Sequence, residues 1–236
     1  TAVVTATHVD YRSAHILDAA SITRAAHQHG ALMVWDLAHT TGAVPFNASE
    51  LDIDFAVGCG YKYLNGGPGA PAFIYVAPRL LETASQPLQG WFGHALPFEF
   101  ELAYRPAEGI ARFLTGTANV LSMKSLEAAL EVFDSVAMAD IRVKNQSLTG
   151  FFIEIFDEFL ADQGFSLRSP RDAENRGSHV ALGYTDGKAL LETLATQGIL
   201  ADFRPPDLLR VGFSALYNTH RDALELAKRL SPIDLL

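Results

Sequence analysis

A lysine and an aspartate each follow an apolar stretch of the sequence, and both residue types can carry charge into an active site. Lys62 comes after the apolar residues 55–59, directly before a glycine-rich run, and Asp36 ends the apolar run 31–35. Removing an ammonium group from water is costly, so a buried lysine often lowers its pKa or bonds covalently to a carbonyl. Taken singly, Lys62 could instead extend into water from a strand end, and Asp36 could cap a turn.

Together, these two side chains suit one cofactor. Ligands of open parallel α/β sheets bind at the carboxyl ends of the strands, which is where both residues are expected. A lysine can hold the aldehyde of pyridoxal 5′-phosphate (PLP), while a carboxylate keeps the pyridinium nitrogen protonated so that the ring accepts electrons. The pair therefore predicts a PLP site, with Lys62 and Asp36 on the same side of the sheet and a cavity between them.

The sequence around this pair resembles kynureninases, which are PLP enzymes of the aspartate-aminotransferase fold type. The resemblance runs along nearly the whole chain and is strongest to the bacterial members. It rests on six motifs: Trp-Asp-Leu-Ala-His at 35–39, Gly-Tyr-Lys-Tyr-Leu-Asn-Gly-Gly-Pro-Gly at 60–69, Gly-Trp-Phe-Gly-His at 90–94, Phe-Leu-Thr-Gly-Thr at 113–117, Arg-Gly-Ser-His-Val at 176–180 and Leu-Arg-Val-Gly-Phe at 209–213.

The resemblance implies a hydrolase of tryptophan catabolism and NAD biosynthesis. Such an enzyme cleaves the Cβ–Cγ bond of L-kynurenine, or of 3-hydroxykynurenine, to an anthranilate and L-alanine. One alternative is another fold-type I PLP enzyme, such as a cysteine desulfurase or an epimerase, although these lack the motifs at 60–69 and 90–94. The other alternative is a catalytically silent α/β module that binds a partner.

The same resemblance implies roles for individual residues on the large-domain side. Lys62 and Tyr61 are the expected catalytic residues, with Tyr61 also near the phosphate. The further residues expected at the cofactor are Asp36, His39, Thr7, Trp91 and Thr117. In this fold type a second subunit commonly reaches the phosphate, so Trp91 and Thr117 are expected to act across a homodimer. Ordinary structural roles remain open for His39 and Thr7 as polar strand-end residues, and for Tyr61 as a packed aromatic.

Arg210 is the residue expected to bind substrate in the C-terminal part. A guanidinium pairs bidentately with a carboxylate, a geometry that lysine does not reproduce. The resemblance assigns it to the α-carboxylate of an amino-acid substrate. The substrate's aromatic ring needs an apolar slot, for which Trp91 and Phe92 are the expected walls.

The elements that must position these residues can be predicted from apolar patterns. Strands are expected at 1–11, 31–39, 54–62 and 72–76, with a helix at 13–29 that makes a right-handed β-α-β crossover. Residues 86–118 are expected to line a site or an interface. The later elements are helices at 120–138, 141–160, 187–197 and 219–230, and short strands at 165–169, 180–182, 199–202 and 209–213.

This order predicts an α/β fold with a mostly parallel sheet, followed by a small α+β domain. The expected division is 1–118 for part of a PLP-binding large domain, 119–160 for connecting long helices, and 161–236 for the C-terminal domain. Kynureninases carry a long segment before the equivalent of Thr1, which supplies further strands, a phosphate-binding loop and an aromatic stacked on the pyridine. The chain therefore resembles their C-terminal part, and we expect weak PLP binding and little turnover from it alone.

Composition excludes several other classes of protein. The 236 residues are 49% hydrophobic and carry a net charge of −9 without any basic run, which argues against nucleic-acid binding. No apolar segment approaches the ~20 residues of a membrane helix. The single cysteine, Cys59, excludes an internal disulfide, favours a packed core thiol and suggests a cytoplasmic protein. The eight histidines lack metal-ligand spacing, so no metal site is expected.

Overall fold

Two four-stranded sheets, each with its own hydrophobic core, form the protein. The computed structural model describes residues 2–231. The strands are β1 (Val3–Thr7), β2 (Leu32–Asp36), β3 (Phe55–Cys59), β4 (Ala72–Val76), β5 (Ser166–Leu167), β6 (His179–Gly183), β7 (Asp202–Arg204) and β8 (Leu208–Gly212). The helices are α1 (Ala19–Gln28), α2 (Val120–Leu130), α3 (Met138–Ile155), α4 (Gly187–Thr196) and α5 (His220–Leu230).

The first sheet has the order β1-β2-β3-β4 and is mostly parallel, as predicted. The pairs β1–β2 and β2–β3 are parallel, whereas β4 returns antiparallel to β3. The register places Thr7 opposite Asp36 and Asp36 opposite Val57, so the carboxyl ends of three strands meet at one edge. One face packs against α1 around the fully buried Met33 and Trp35.

The helix predicted at 13–29 begins six residues later, at Ala19. Asp18 caps it by accepting a hydrogen bond from the Ser21 backbone N–H at 3.0 Å. The preceding residues are held by long-range contacts instead, including a bridge between His15 and Arg176. The strands predicted at 1–11 and 31–39 are likewise shorter, since β1 ends at Thr7 and β2 ends at Asp36; residue 1 of the first prediction lies outside the described residues.

The second sheet is antiparallel, with the order β5-β6-β8-β7. Its core includes the fully buried Phe152, Leu182 and Leu209, so α3 packs directly on this sheet. The strand predicted at 199–202 is wrong over 199–201, because β7 starts at Asp202. The predicted helix 219–230 is confirmed, with Thr219 as its N-cap in a capping box.

The long helix predicted at 120–138 is interrupted. α2 ends at Leu130, a short 3₁₀ turn follows, and residues 136–137 are extended before α3 begins. A π-helical turn, Phe156–Leu160, continues α3 to the end of the second predicted helix. The division into three parts at 118 and 160 stays a prediction.

Contacts between the two sheets fix how they face each other. The Asn145 side-chain amide on α3 donates to the Ala43 carbonyl at 3.1 Å, and the Gly177 N–H donates to the Ala14 carbonyl at 2.8 Å. In the part of the chain that the structure describes, no helix is both long and apolar enough to cross a membrane. Residues 2–231 also contain no cluster of three or more potential metal ligands.

Candidate active site

A cavity of about 310 Å³ lies where the carboxyl-terminal ends of the first sheet face the second sheet. One wall comes from the loops after β2 and β3, and the other comes from the second sheet and the segment after it. Its lining consists of His39, Tyr61, Lys62, Tyr63, His179, Asp202, Arg210, Gly212, Ser214 and Tyr217. Four of the residues predicted from the sequence, His39, Tyr61, Lys62 and Arg210, therefore lie around one cavity.

Lys62 lies in a tight turn, not on the strand as predicted, because β3 ends at Cys59. The Gly60 N–H donates to the Pro71 carbonyl and the Gly66 N–H donates to the Gly60 carbonyl, both at 2.9 Å. A Cβ on Gly60 would lie 2.8 Å from the Pro71 oxygen, so the turn has no room for a side chain there. Lys62 is half-buried at the tip of this closely packed turn.

The turn also brings Tyr61 to the same cavity as Lys62. Neighbouring residues on a continued strand would point to opposite faces, so this convergence depends on the strand ending first. The Lys62 Nζ lies 5.0 Å from the centre of the Tyr61 ring, close enough for a cation–π interaction. Tyr61 is 51% exposed and is therefore not the packed core aromatic of the structural alternative.

Asp36 ends β2 and does not line the cavity itself. One of its carboxylate oxygens accepts a hydrogen bond from the Ala38 N–H at 2.8 Å, which is the turn-capping role considered above. The other oxygen has no hydrogen-bond partner among residues 2–231. Asp36 and Lys62 both act electrostatically on His39, which lies on the cavity wall. The predicted meeting of Asp36 and Lys62 on one cofactor stays a prediction.

Two histidines stand side by side in the cavity wall. The rings of His39 and His179 are 5.7 Å apart between centres. Burial, together with the positive charges of Lys62 and Arg210, lowers the pKa of His39 to about 4. Burial likewise lowers the pKa of His179 to about 3, so both imidazoles are neutral near pH 7. The Nε2 atom of His179 is buried and has no hydrogen-bond partner within the described chain.

Arg210 projects from β8 into the same cavity. Its guanidinium donates to the carboxylate of Asp202 and to the backbone carbonyl of Tyr11, and its side chain is only 11% exposed. Tyr63 is half-buried nearby, and desolvation raises the pKa of its phenol above the usual range, so the hydroxyl stays protonated. A Cβ on Gly212 would lie 3.7 Å from the Tyr63 hydroxyl oxygen.

Sequence reasoning missed Asp202, His179 and Tyr63 as residues of this cavity. His179 and Tyr63 lie within the motifs at 176–180 and 60–69. The motifs could be recognised from the sequence, but the place of these two side chains at the cavity could not. Asp202 lay at the end of a misplaced strand, and no local pattern marked it.

Three predicted site residues lie elsewhere in the described chain. Thr7 donates its hydroxyl to the Val9 carbonyl at 3.0 Å and does not line the cavity. Trp91 lies in a second, largely apolar cavity of about 340 Å³ that also includes Phe100 and Tyr104. Thr117 is exposed. The expectation that Trp91 and Thr117 act across a homodimer stays a prediction.

The residues around the first cavity fit a PLP cofactor in their chemistry. Lys62 supplies an amine and Arg210 supplies a guanidinium on the cavity wall. Asp36 lies outside the lining and keeps one carboxylate oxygen without a hydrogen bond in the described chain. His179 and Arg210 each also present a buried nitrogen that lacks a hydrogen-bond partner among residues 2–231. Buried polar atoms are almost always satisfied, so such unpaired atoms on a cavity wall are typical of a ligand site.

Comparison with known proteins gives matches along nearly the whole chain. Residues 141–230 match the kynureninase C-terminal domain. The chain is 42% identical to the kynureninase of Pseudomonas fluorescens over 233 residues, which is 99% of this chain and 56% of that protein. It is 47% identical to the kynureninase of Deinococcus radiodurans over 220 residues, or 93% of this chain and 54% of that protein. The chain thus spans about half the length of these curated relatives.

Solved structures share the fold at lower sequence identity. A complex of the cystine C–S lyase C-DES with cysteine persulfide has a TM-score of 0.85 at 19% identity, covering 99% of this chain and 61% of that one. The apo cysteine desulfurase of Thermococcus onnurineus has a TM-score of 0.81 at 19% identity, covering 95% and 58%. This likeness confirms the predicted α/β fold.

Proposed function

We propose that this protein is a PLP-dependent hydrolase acting on kynurenine, because its residues 141–230 match the kynureninase C-terminal domain and the chain is 42–47% identical to two curated kynureninases. It cleaves the Cβ–Cγ bond of L-kynurenine, or of 3-hydroxykynurenine, to an anthranilate and L-alanine. The observation that carries this proposal is that Tyr61, Lys62, His39 and Arg210, which come from three separate parts of the sequence, line one cavity. The C–S lyase and cysteine desulfurase structures support the fold only.

The cavity residues have distinct roles toward the cofactor. When bound, PLP supplies an electron sink for the carbons of an amino-acid substrate. Lys62 would hold it through the side-chain amine, and Asp36 would pair its remaining carboxylate oxygen with the pyridinium nitrogen. His39 is neutral because of its lowered pKa, so it lies beside the ring without adding positive charge.

The remaining roles concern protons and the substrate. The Lys62 amine moves protons at the substrate Cα, since its turn is held by backbone hydrogen bonds and keeps the amine at the cavity. Tyr61 binds the phosphate through its hydroxyl and can donate a proton. Arg210 binds the α-carboxylate and thereby orients the bond to be cleaved.

We also propose that the protein acts as a homodimer, in the cytoplasm. The segment 86–123 exposes many large apolar side chains, an arrangement that marks interaction surfaces. The most exposed are Leu88 at 72%, Phe98 at 70%, Phe100 at 83%, Leu102 at 107% and Leu121 at 85%. A second copy over this surface would cover it and would bring Trp91 and Thr117 toward a neighbouring cavity, where Trp91 and Phe92 could line the slot for the aromatic ring.

The proposal is tested by removing the lysine. The complete gene product is mixed with PLP and dialysed, and the absorbance of covalently held PLP is recorded together with release of anthranilate from L-kynurenine and of sulfide from L-cysteine. Lys62→Ala is expected to abolish both the absorbance and anthranilate release, because no other lysine lines the cavity within the described chain.

Lys188→Ala is the matched control, since Lys188 is exposed and lies outside the cavity. It should retain wild-type absorbance and turnover. Covalent PLP that survives Lys62→Ala, or sulfide release from cysteine that exceeds anthranilate release, would contradict the proposal.

A further inference from the structure

One face of the second sheet presents a set of polar residues to the cavity. Asp202 on β7 and Arg210 on β8 are directly opposed in register, and both line the cavity. His179 on β6 is opposed to Gly212, two residues beyond Arg210 on the same face. Directly opposed residues share a face of the sheet. The other face carries Leu209 and belongs to the hydrophobic core.

The hydrogen bonds of Arg210 leave part of its guanidinium available. The group carries five N–H donors. Nη2 donates to the carboxylate of Asp202, and Nη1 donates to the carbonyl of Tyr11. The Nε–H is buried and has no partner among residues 2–231. Nη1 and Nη2 each keep a second N–H, and because Arg210 lines the cavity these donors are suited to an oxygen of a ligand there.

We propose that Asp202 is a positioning residue, which holds the guanidinium so that its remaining Nη N–H donors face a carboxylate ligand in the cavity. The inference rests on the proposed role of Arg210 in substrate binding. Asp202 and the Tyr11 carbonyl bind different nitrogens, so together they fix the rotation of the planar group. The carboxylate of the ligand then binds at these remaining donors with little loss of freedom.

Asp202 is suited to this role because Arg210 is not the only positive charge that compensates its carboxylate among the described residues. Its carboxylate also pairs with Arg204 at 2.9 Å, and its side chain is 40% exposed to water. A second carboxylate can therefore approach Arg210 without leaving Asp202 as an uncompensated buried charge. The competing explanation is that Asp202 merely neutralises Arg210 and weakens its attraction for anions.

Two substitutions separate these explanations. Asp202→Asn keeps an oxygen that can accept from Nη2 but removes the negative charge, whereas Asp202→Ala removes both. If Asp202 positions Arg210, the asparagine variant binds carboxylates at least as tightly as the wild type, and the alanine variant binds about tenfold more weakly. If Asp202 only neutralises charge, both variants bind carboxylates more tightly.

The experiment uses the cofactor-free chain with labelled arginine side chains and follows the Arg210 Nε–H signal by nuclear magnetic resonance. L-Kynurenine and its carboxamide are the two ligands, and Arg210→Lys identifies the signal. In the wild type we expect an ordered signal that shifts with L-kynurenine much more than with the amide. Asp202→Ala should make the signal mobile and abolish this preference, and Asp202→Asn should preserve both.

Arg221→Ala is the control, because Arg221 is exposed on α5 and does not line the cavity. It should leave the signal and the carboxylate preference within twofold of the wild type. The proposal is overturned if the wild type does not distinguish acid from amide, if Asp202→Ala leaves the signal unchanged, or if both Asp202 variants lose or gain affinity equally. No PLP is present in this experiment, so its failure leaves the Lys62 test of the proposed function unaffected.

Discussion

The two walls of the cavity differ in how their side chains are held. On the first wall, the backbone is fixed by hydrogen bonds within the turn at 60–69, while Lys62 is only half-buried and Tyr61 is half-exposed. On the second wall, the side chains themselves are fixed, since Arg210 is hydrogen-bonded to Asp202 and to the Tyr11 backbone. An arginine held in place by hydrogen bonds suits recognition of the carboxylate that every amino-acid substrate carries. A rigid turn with a mobile side chain suits a lysine that must move protons.

The largest effect should follow from disturbing the second wall. Arg210→Lys removes the planar donor set that joins Asp202 to the Tyr11 carbonyl, while Asp202 keeps its ion pair with Arg204. We expect kcat/KM for L-kynurenine in the complete enzyme to fall about a hundredfold, mainly through KM, as truncation of a fixed charge pair typically causes.

Steady-state kinetics of Arg204→Lys provides the control, because Arg204 is exposed and remains paired with Asp202. Its kcat/KM should stay within about twofold of the wild type, the range expected of a surface ion pair. An Arg210→Lys enzyme with unchanged KM would show that the second wall does not recognise the carboxylate.

A smaller effect should follow from disturbing the turn of the first wall. In Gly60→Ala the added methyl would lie 2.8 Å from the Pro71 oxygen, so the backbone around Lys62 must shift. We expect a loss of about 2 kcal/mol in the free energy of unfolding, measured by denaturant titration, because overpacking commonly costs 1–3 kcal/mol.

Gly116→Ala is the matched control, since a methyl there meets nothing within 4 Å. It should change the free energy of unfolding by less than about 0.5 kcal/mol. If the two variants are equally stable, the backbone of the turn at 60–69 accommodates the added methyl group. The first wall would then not be held by a rigid backbone.

The smallest effect concerns the boundary between the walls, where His39 faces His179. Burial lowers the pKa of His39 from its ordinary value near 6.5 to about 4, so folding favours the neutral imidazole. The resulting stability is fully present above pH 6.5 and is lost as the pH falls toward 4. A glutamine at position 39 cannot titrate. As the pH falls from 6.5 toward 4, the free energy of unfolding of His39→Gln should therefore decrease by about 1 to 2 kcal/mol less than that of the wild type.

Denaturant titrations at pH 7 and at pH 4.5 measure this difference. His29→Gln is the control, because His29 is exposed at the end of α1 and should leave the pH dependence unchanged. If His39→Gln loses as much stability in acid as the wild type, the loss must come from other groups, such as the buried His8 and His179.

Much of the first sheet could be predicted because apolar runs end at residues of clear type. The strand 72–76 is confirmed at both ends, and the sheet is mostly parallel as expected. The start of α1 was not predictable from helical spacing alone, because the residues before Asp18 are bound by distant parts of the chain such as Arg176. Local patterns carry no information on such contacts.

The site shows the same division. Tyr61, Lys62, His39 and Arg210 were predicted from their motifs, and they line one cavity. Asp202 could not be predicted, because it faces Arg210 only through the register between β7 and β8. That register is set by how the three-residue connection 205–207 folds. The exact residue at which β3 gives way to the turn that carries Lys62 was also not visible, since it depends on close packing of Gly60 against Pro71.

The bond between Arg210 and the Tyr11 carbonyl joins the second sheet to a loop of the first. If the two sheets rotate apart, this bond must break, and the guanidinium then loses one of the two groups that orient it. Separation of the two sheets would therefore also weaken binding of a carboxylate ligand at Arg210. An amino acid bound at Arg210 would in turn favour the closed arrangement, so occupancy of the site and the angle between the sheets are thermodynamically linked.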